Sequence, residues 1–170
     1  RKGSLAMVRL QHAIGEAAVN SALRSLLADT RYRTAPFVGS AELLARLRQA
    51  TPPGKQALLA DLFERVVVYD NRPLAATATR RADGRWDLVV QLQLRKHEVD
   101  ATGKEVARAY DEPVEIAIEG EGGTILQRLS ATAPDLRLTL AKRPAALQLD
   151  PSGLLIDRDP ADNRLAVTSP

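Results

Sequence analysis

The chain has two histidines, His12 and His97, and no cysteine. The absence of cysteine excludes a disulfide framework, a Cys-ligated zinc site and a Cys nucleophile. His97-Glu98 comes nearest to a catalytic motif. A His-Glu-x-x-His zinc motif needs its second histidine one helical turn later, so that both imidazoles meet one metal. Here that position is Ala101, and the segment ends a strand pattern, so the spacing would not converge. His97 therefore reads as a hairpin residue. His12 lies beside apolar positions in a helix and reads as structural, with a role at an interface as the alternative. Two isolated histidines give no Ser-His-Asp grouping.

Other polar clusters are weaker as chemistry. Asp157, Asp159, Asp162 and Asn163 offer several oxygens at close spacing, which calcium favours. The EF-hand register fails, because its sixth position needs Gly and holds Asp162. Asp and Asn also favour turns through bonds to their own backbone, so this run reads first as a turn and second as a weak cation site. Gly120-Glu121-Gly122-Gly123 lacks the Lys-Ser/Thr of a phosphate loop, and its glutamate would repel phosphate. Trp86 reads as a core anchor. No catalytic, cofactor-binding or metal-ligating residue is assigned on this reading.

The elements follow from hydrophobic period. In Ser4 to Ile14, Leu5, Met7, Val8, Leu10 and Ile14 cover more than one helix face and call for neighbours on several sides. Gly15 interrupts the pattern. Val19, Ala22, Leu23, Leu26 and Leu27 then give one buried stripe over residues 16 to 28. Residues 29 to 39 read as a loop. Ser40 is expected to cap a third helix, and Thr51 followed by Pro52 to start a fourth, carrying Leu58, Leu59, Leu62, Phe63 and Val66. The period then changes. Val66-Val67-Val68-Tyr69 is β-branched and aromatic, Asp70 to Pro73 reads as a turn or loop, and Ala82-Asp83-Gly84 reads as a hairpin. Alternation recurs at Trp86 to Leu94, Val114 to Ile118, Leu136 to Leu140 and Leu147 to Leu149. These features predict an α+β chain, with a helical segment over residues 1–66 and an antiparallel, immunoglobulin-like β-sandwich over residues 67–170.

Charge divides unevenly: residues 1–66 carry +5 and residues 67–170 carry −2, for a total of +3. The basic half could meet an acidic partner or nucleic acid, but it lacks the interleaved aromatics of a single-strand binder, so it reads first as a solvated helix surface and no nucleic-acid partner is expected. No apolar run reaches the length of about 18 residues that a membrane-crossing helix needs. Arg1-Lys2-Gly3-Ser4 begins in mid-pattern, which creates the expectation of a piece cut from a longer chain.

The N-terminal part resembles the end of the catalytic domain in zinc-dependent gluzincin aminopeptidases, the aminopeptidase N and leukotriene hydrolase type. Lys2-Gly3 stands where the family has Tyr-x-Lys-Gly. It is followed by Leu10, Ile14-Gly15-Glu16, Val19, Leu23 and Leu26-Leu27, and then by a loop and the Ser40 to Ala50 helix. The run Asp61-Leu62-Phe63-Glu64, Tyr69-Asp70-Asn71-Arg72 and the β-rich tail resemble the C-terminus of bacterial membrane proteins in which such a module follows permease-like segments.

The resemblance implies that the zinc motif, its downstream glutamate ligand, the amine-binding residues and the transition-state tyrosine all lie upstream of Arg1. Lys2 and Gly3 carry over only as backbone that positions that tyrosine. The expectation is a non-catalytic C-terminal fragment of a membrane-linked zinc aminopeptidase at the bacterial inner membrane. Zinc and peptide substrate would belong to the parent, and the partner would be the upstream catalytic domain. Membrane contact would come only through parent segments. Self-association through residues 4–14 is also expected. The alternative is a β-sandwich that binds a protein or peptide through a strand edge.

Overall fold

The computed structural model describes residues 2–130, 132 and 135–169. The chain divides into two compact units, Arg1–Val67 and Val68–Pro170. It is an α+β protein, with four α-helices followed by two antiparallel four-stranded sheets among the described residues.

The helical unit holds α1 (Lys2–Ile14), α2 (Glu16–Thr30), α3 (Ser40–Ala50) and α4 (Gln56–Phe63). Gly15 separates α1 from α2 at φ 92° and ψ 150°, a region essentially reserved for glycine. Ala6, Leu10, Val19, Ala22, Leu47, Leu59 and Leu62 form the core, with Met7, Ile14, Leu23 and Phe63 packed against it. This core covers most of the apolar spread on α1. Of the five residues that raised the expectation of self-association, Val8 alone is classed as exposed, at 45%. Lys2 Nζ donates to the Arg65 carbonyl at 2.8 Å, which ties the start of the unit to its end.

Several local expectations are corrected here. Ser40 is the first residue of α3 and not its cap. Gly39 holds the N-cap position, with no side-chain cap bond. Thr51 closes α3 instead of opening α4: its N–H donates to Arg48 O, and its buried hydroxyl donates to Leu47 O at 2.7 Å. The proline rule applies one residue later, where Pro53 opens a 3-10 turn (Pro53–Lys55) that leads into α4. Gln56 then donates to the Thr51 carbonyl and, as a second donor beside the Thr51 N–H, to the Arg48 carbonyl at the end of α3. Val66 belongs to a strand and not to α4.

β1 (Val66–Arg80) pairs with β2 (Trp86–Val99), and β2 pairs with both β3 (Glu105–Arg108) and β6 (Asp135–Leu140). In the other sheet the order is β5 (Gly123–Ser130), β4 (Pro113–Gly120), β7 (Pro144–Leu149), β8 (Arg164–Ala166). Both sheets contribute to one apolar core: Ala76, Ala78, Leu88, Val90 and Leu92 from the first, Val114, Ile116, Ile118, Leu147 and Leu149 from the second. The expected loop at Asp70 to Pro73 is instead the middle of β1.

The physical reason is visible at the outer edge of β1. Tyr69 bonds there to Ile156 and Arg158, and Ala76 and Ala78 bond to Thr168. Between these contacts no ladder asks Pro73 for an N–H, so a proline is tolerated. The burial phase also slips there. Tyr69, Asn71 and Pro73 are buried, Leu74 and Ala75 are both exposed, and burial resumes at Ala76 and Ala78. One extra residue of this kind shifts every following side chain to the opposite face.

Turns close the hairpins. Asp100 Oδ1 accepts from Thr102 and Lys104 in the β2–β3 turn. Gly120 pairs with Gly123 across Glu121-Gly122. Gly120 also marks a register shift against β7, and a Cβ there would lie 2.2 Å from the Arg143 carbonyl.

Candidate functional site

The alternation that buries Leu88, Val90 and Leu92 continues along β2 through Leu94 to Lys96. Lys96 therefore turns inward and is only 6% exposed. A buried ammonium needs a counter-charge and hydrogen-bond partners. Glu112, just before β4, supplies one, accepting from Lys96 Nζ at 2.7 Å. The Tyr69 hydroxyl donates to the same carboxylate oxygen at 3.0 Å. The Tyr69 and Tyr110 rings pack at 5.3 Å with a tilt of 56°. Asn71 Nδ2 donates to the Tyr110 hydroxyl at 3.0 Å, and Asn71 Oδ1 accepts from the Arg95 N–H at 3.3 Å. Five side chains from β1, β2 and the approach to β4 thus form one polar cluster beside the apolar core.

A shallow cleft of about 310 Å³ opens beside the cluster, lined by Arg95, Lys96, His97, Arg108 and Tyr110 among others. Its basic side chains each face a carboxylate. Arg95 lies 3.8 Å from Asp70, His97 3.9 Å from Glu105 and Arg108 3.3 Å from Glu98. An anion entering the cleft would have to displace these carboxylates. Lys96 Nζ is held by the Glu112 carboxylate and not presented to the cleft as a free amine. The cluster can fix how β1, β2 and the loop before β4 register. As it stands, it does not present an activated nucleophile.

The histidines are far apart in role. His97 lies within the β2–β3 hairpin, with Ala107 as its cross-strand partner. Glu98, its neighbour, points to the opposite face as strand geometry requires. Ala101 sits in the turn. His12 is exposed in the last turn of α1.

Asp157 and Asp159 spend oxygens on nearby backbone and side-chain donors, whereas Asp162 Oδ1 and Asn163 Oδ1 are buried without a hydrogen-bond partner. Asp157 accepts from Asp159 N at 3.2 Å and from Asn163 Nδ2 at 3.3 Å, and Asp159 caps a 3-10 turn (Pro160–Asn163) through Ala161 N. Burial pushes the Asp157 carboxyl above the ordinary range, against the pull of these bonds. Burial also raises Asp162. Among the described residues, no group of three or more His, Cys, Asp or Glu side chains is placed to hold a metal ion. Gly120 to Gly123 is a hairpin turn, and Trp86 packs against the sheet core with the Arg143 guanidinium 5.5 Å from its ring centroid.

The Lys96 cluster was missed in the sequence, although one signal for it exists. Lys96 continues the inward phase set by Leu88, Val90, Leu92 and Leu94, and a lysine in that phase demands a buried acid. Nothing local identifies the acid as Glu112, sixteen residues on. Neither a protein-family model nor a curated protein matches the sequence.

Proposed function

We propose that this chain is a non-catalytic supporting part of a membrane-linked zinc aminopeptidase. In this reading residues 1–66 form the closing helices of the catalytic domain. Residues 67–170 form an immunoglobulin-like sandwich that buttresses it, and the reaction takes place on residues upstream of Arg1. There a zinc-activated water would attack the peptide carbonyl. The parent would lie at the bacterial inner membrane and be held there by its own segments.

The observation that supports this reading is the order of helices and breaks. α1 runs from Lys2, Gly15 alone interrupts it, α2 follows at once, and a loop leads to α3 at Ser40. That is the layout expected from the aminopeptidase resemblance. The test is the natural polypeptide that contains this chain. It should carry His-Glu-x-x-His with a downstream Glu before Arg1, and should retain stoichiometric zinc after dialysis. A polypeptide with neither would overturn the proposal.

A further inference from the structure

The connection between α2 and α3 stands out within the helical unit. Residues 31 to 40 are all exposed. Tyr32 is 96% exposed and Phe37 80%. The chain has only two Phe, one Trp and three Tyr, so a third of its aromatic rings stand in water on one connection. Single exposed apolar side chains need no explanation, but a concentration of them does. The feature begins on α2, where Arg24 and Leu27 lie three residues apart on one face, and Arg31 follows as the C-cap of the helix. Leu27 is 64% exposed and Val38 41%.

Charge selects the kind of partner. Between Thr30 and Ala41 the only charged residues are Arg31 and Arg33. The nearby carboxylates are engaged, Glu42 by Arg33 at 3.1 Å and Asp29 by Arg46. Among the described residues, no ion pair engages Arg24 or Arg31. The stretch therefore combines exposed rings with uncompensated guanidinium groups. Residues 33 to 39 carry no regular structure. A protein interface rewards pre-organised, shape-matched surfaces. A bilayer interface accepts aromatic rings at headgroup level without shape matching, and arginine stems can lie along it.

We propose that the end of α2 and the α2–α3 connection form a peripheral lipid contact. Tyr32 and Phe37 enter the headgroup region of an anionic bilayer, and Arg24 and Arg31 meet its phosphates. The inference does not depend on an aminopeptidase parent.

The test is flotation of the whole chain with phosphatidylcholine vesicles and with vesicles rich in phosphatidylglycerol, at low and high salt. The wild type should float with the anionic vesicles and lose binding as salt rises. Tyr32→Ser with Phe37→Ser should lower partitioning about tenfold. Arg24→Gln with Arg31→Gln should lower it roughly twentyfold on anionic vesicles and leave the neutral ones unaffected. All four side chains are exposed, so unchanged circular dichroism should confirm that the variants fold. A wild type that floats with neither vesicle, or an aromatic variant that floats as well as the wild type, would overturn the proposal. Concentration-dependent self-association abolished by the aromatic variant, without flotation, would assign the patch to a second copy of the chain and also overturn it.

Discussion

The two units handle charge in different ways. In the helical unit several ion pairs lie at the surface, Arg33 with Glu42, Arg46 with Asp29 and Arg48 with Glu64, while Arg65 with the buried Asp61 joins residues only four apart at the end of α4. The fully buried apolar side chains of its core are Leu, Val and Ala, and Arg9 and Asp61 are buried in the same unit. In the sheet unit an ion pair, Lys96 with Glu112, is drawn into the interior and bonded to a tyrosine. Helices satisfy their backbone locally, so an apolar stripe is enough to pack them. Strands must choose partners distant in sequence, and a one-residue slip inverts their faces. A buried pair that fits only one register penalises the slips, which apolar side chains would tolerate.

The largest effect should come from breaking that pair. Lys96→Met leaves the Glu112 carboxylate without its ammonium and should cost about 3–5 kcal/mol, read from denaturant unfolding followed by Trp86 fluorescence. Adding Glu112→Gln should recover part of the loss. The helical counterpart, Arg48→Met, removes a surface pair and should cost about 0–1 kcal/mol. Equal losses from the two variants would erase the contrast between the units.

The apolar cores should behave alike. Leu59→Ala in the helices and Leu147→Ala in the sheets both empty fully buried sites and should each cost about 2–5 kcal/mol. Their readouts should differ, since Trp86 lies in the sheet unit and the far-ultraviolet helical signal comes from the other. A Leu59→Ala loss seen only in Trp86 fluorescence would contradict the assignment of the cores.

Two glycines sharpen the comparison at a smaller scale. Gly15→Ala would force alanine to φ 92° with no steric contact within 4 Å, while Gly120→Ala would drive a Cβ into the Arg143 carbonyl. Each should cost about 1–3 kcal/mol, the first through backbone strain and the second through overpacking. Gly54→Ala, where an added Cβ meets nothing within 4 Å and φ is not positive, should be silent by the same thermal unfolding measurement.

The smallest effect is a pH slope. Burial raises the Asp157 carboxyl in the folded state. A raised carboxyl holds its proton more tightly when folded, so its contribution falls as pH rises from about 3.9 through the folded value, and is constant above. Asp157→Asn lacks that loss and should gain on the wild type across this window. Parallel stability curves for the two proteins from acid to neutral pH would rule out Asp157 as a source of the slope.

Much of the helical unit was legible because its signals are local. The apolar period placed α1 and α2, and glycine marked their junction. The caps were misread at Ser40 and Thr51, since residue type allows either end of a helix and geometry chooses. In the sheets, β2, β4, β6 and β7 show clean alternation and were read. β1 was broken at Asp70-Asn71-Arg72-Pro73 because those residues normally mark turns. Pairing with β2 on one side and the contacts of Tyr69 and Ala76 with segments near the C-terminus on the other hold a strand there. β3, which is exposed throughout, β5, which is nearly so, and β8, with three residues, carry too little buried alternation to declare themselves. The polar cluster was half legible, through Lys96 alone, because its other members arrive from β1 and from the loop before β4.

On the proposed function, this chain supports chemistry carried out on residues upstream of Arg1. The direct measurement is hydrolysis of an aminoacyl reporter by the longer polypeptide and by the 170-residue chain side by side, each stripped with chelator and then given zinc. The account predicts zinc-restored turnover by the longer polypeptide and none by the chain alone. Zinc-dependent turnover by the chain alone, or its absence from the longer polypeptide, would contradict it.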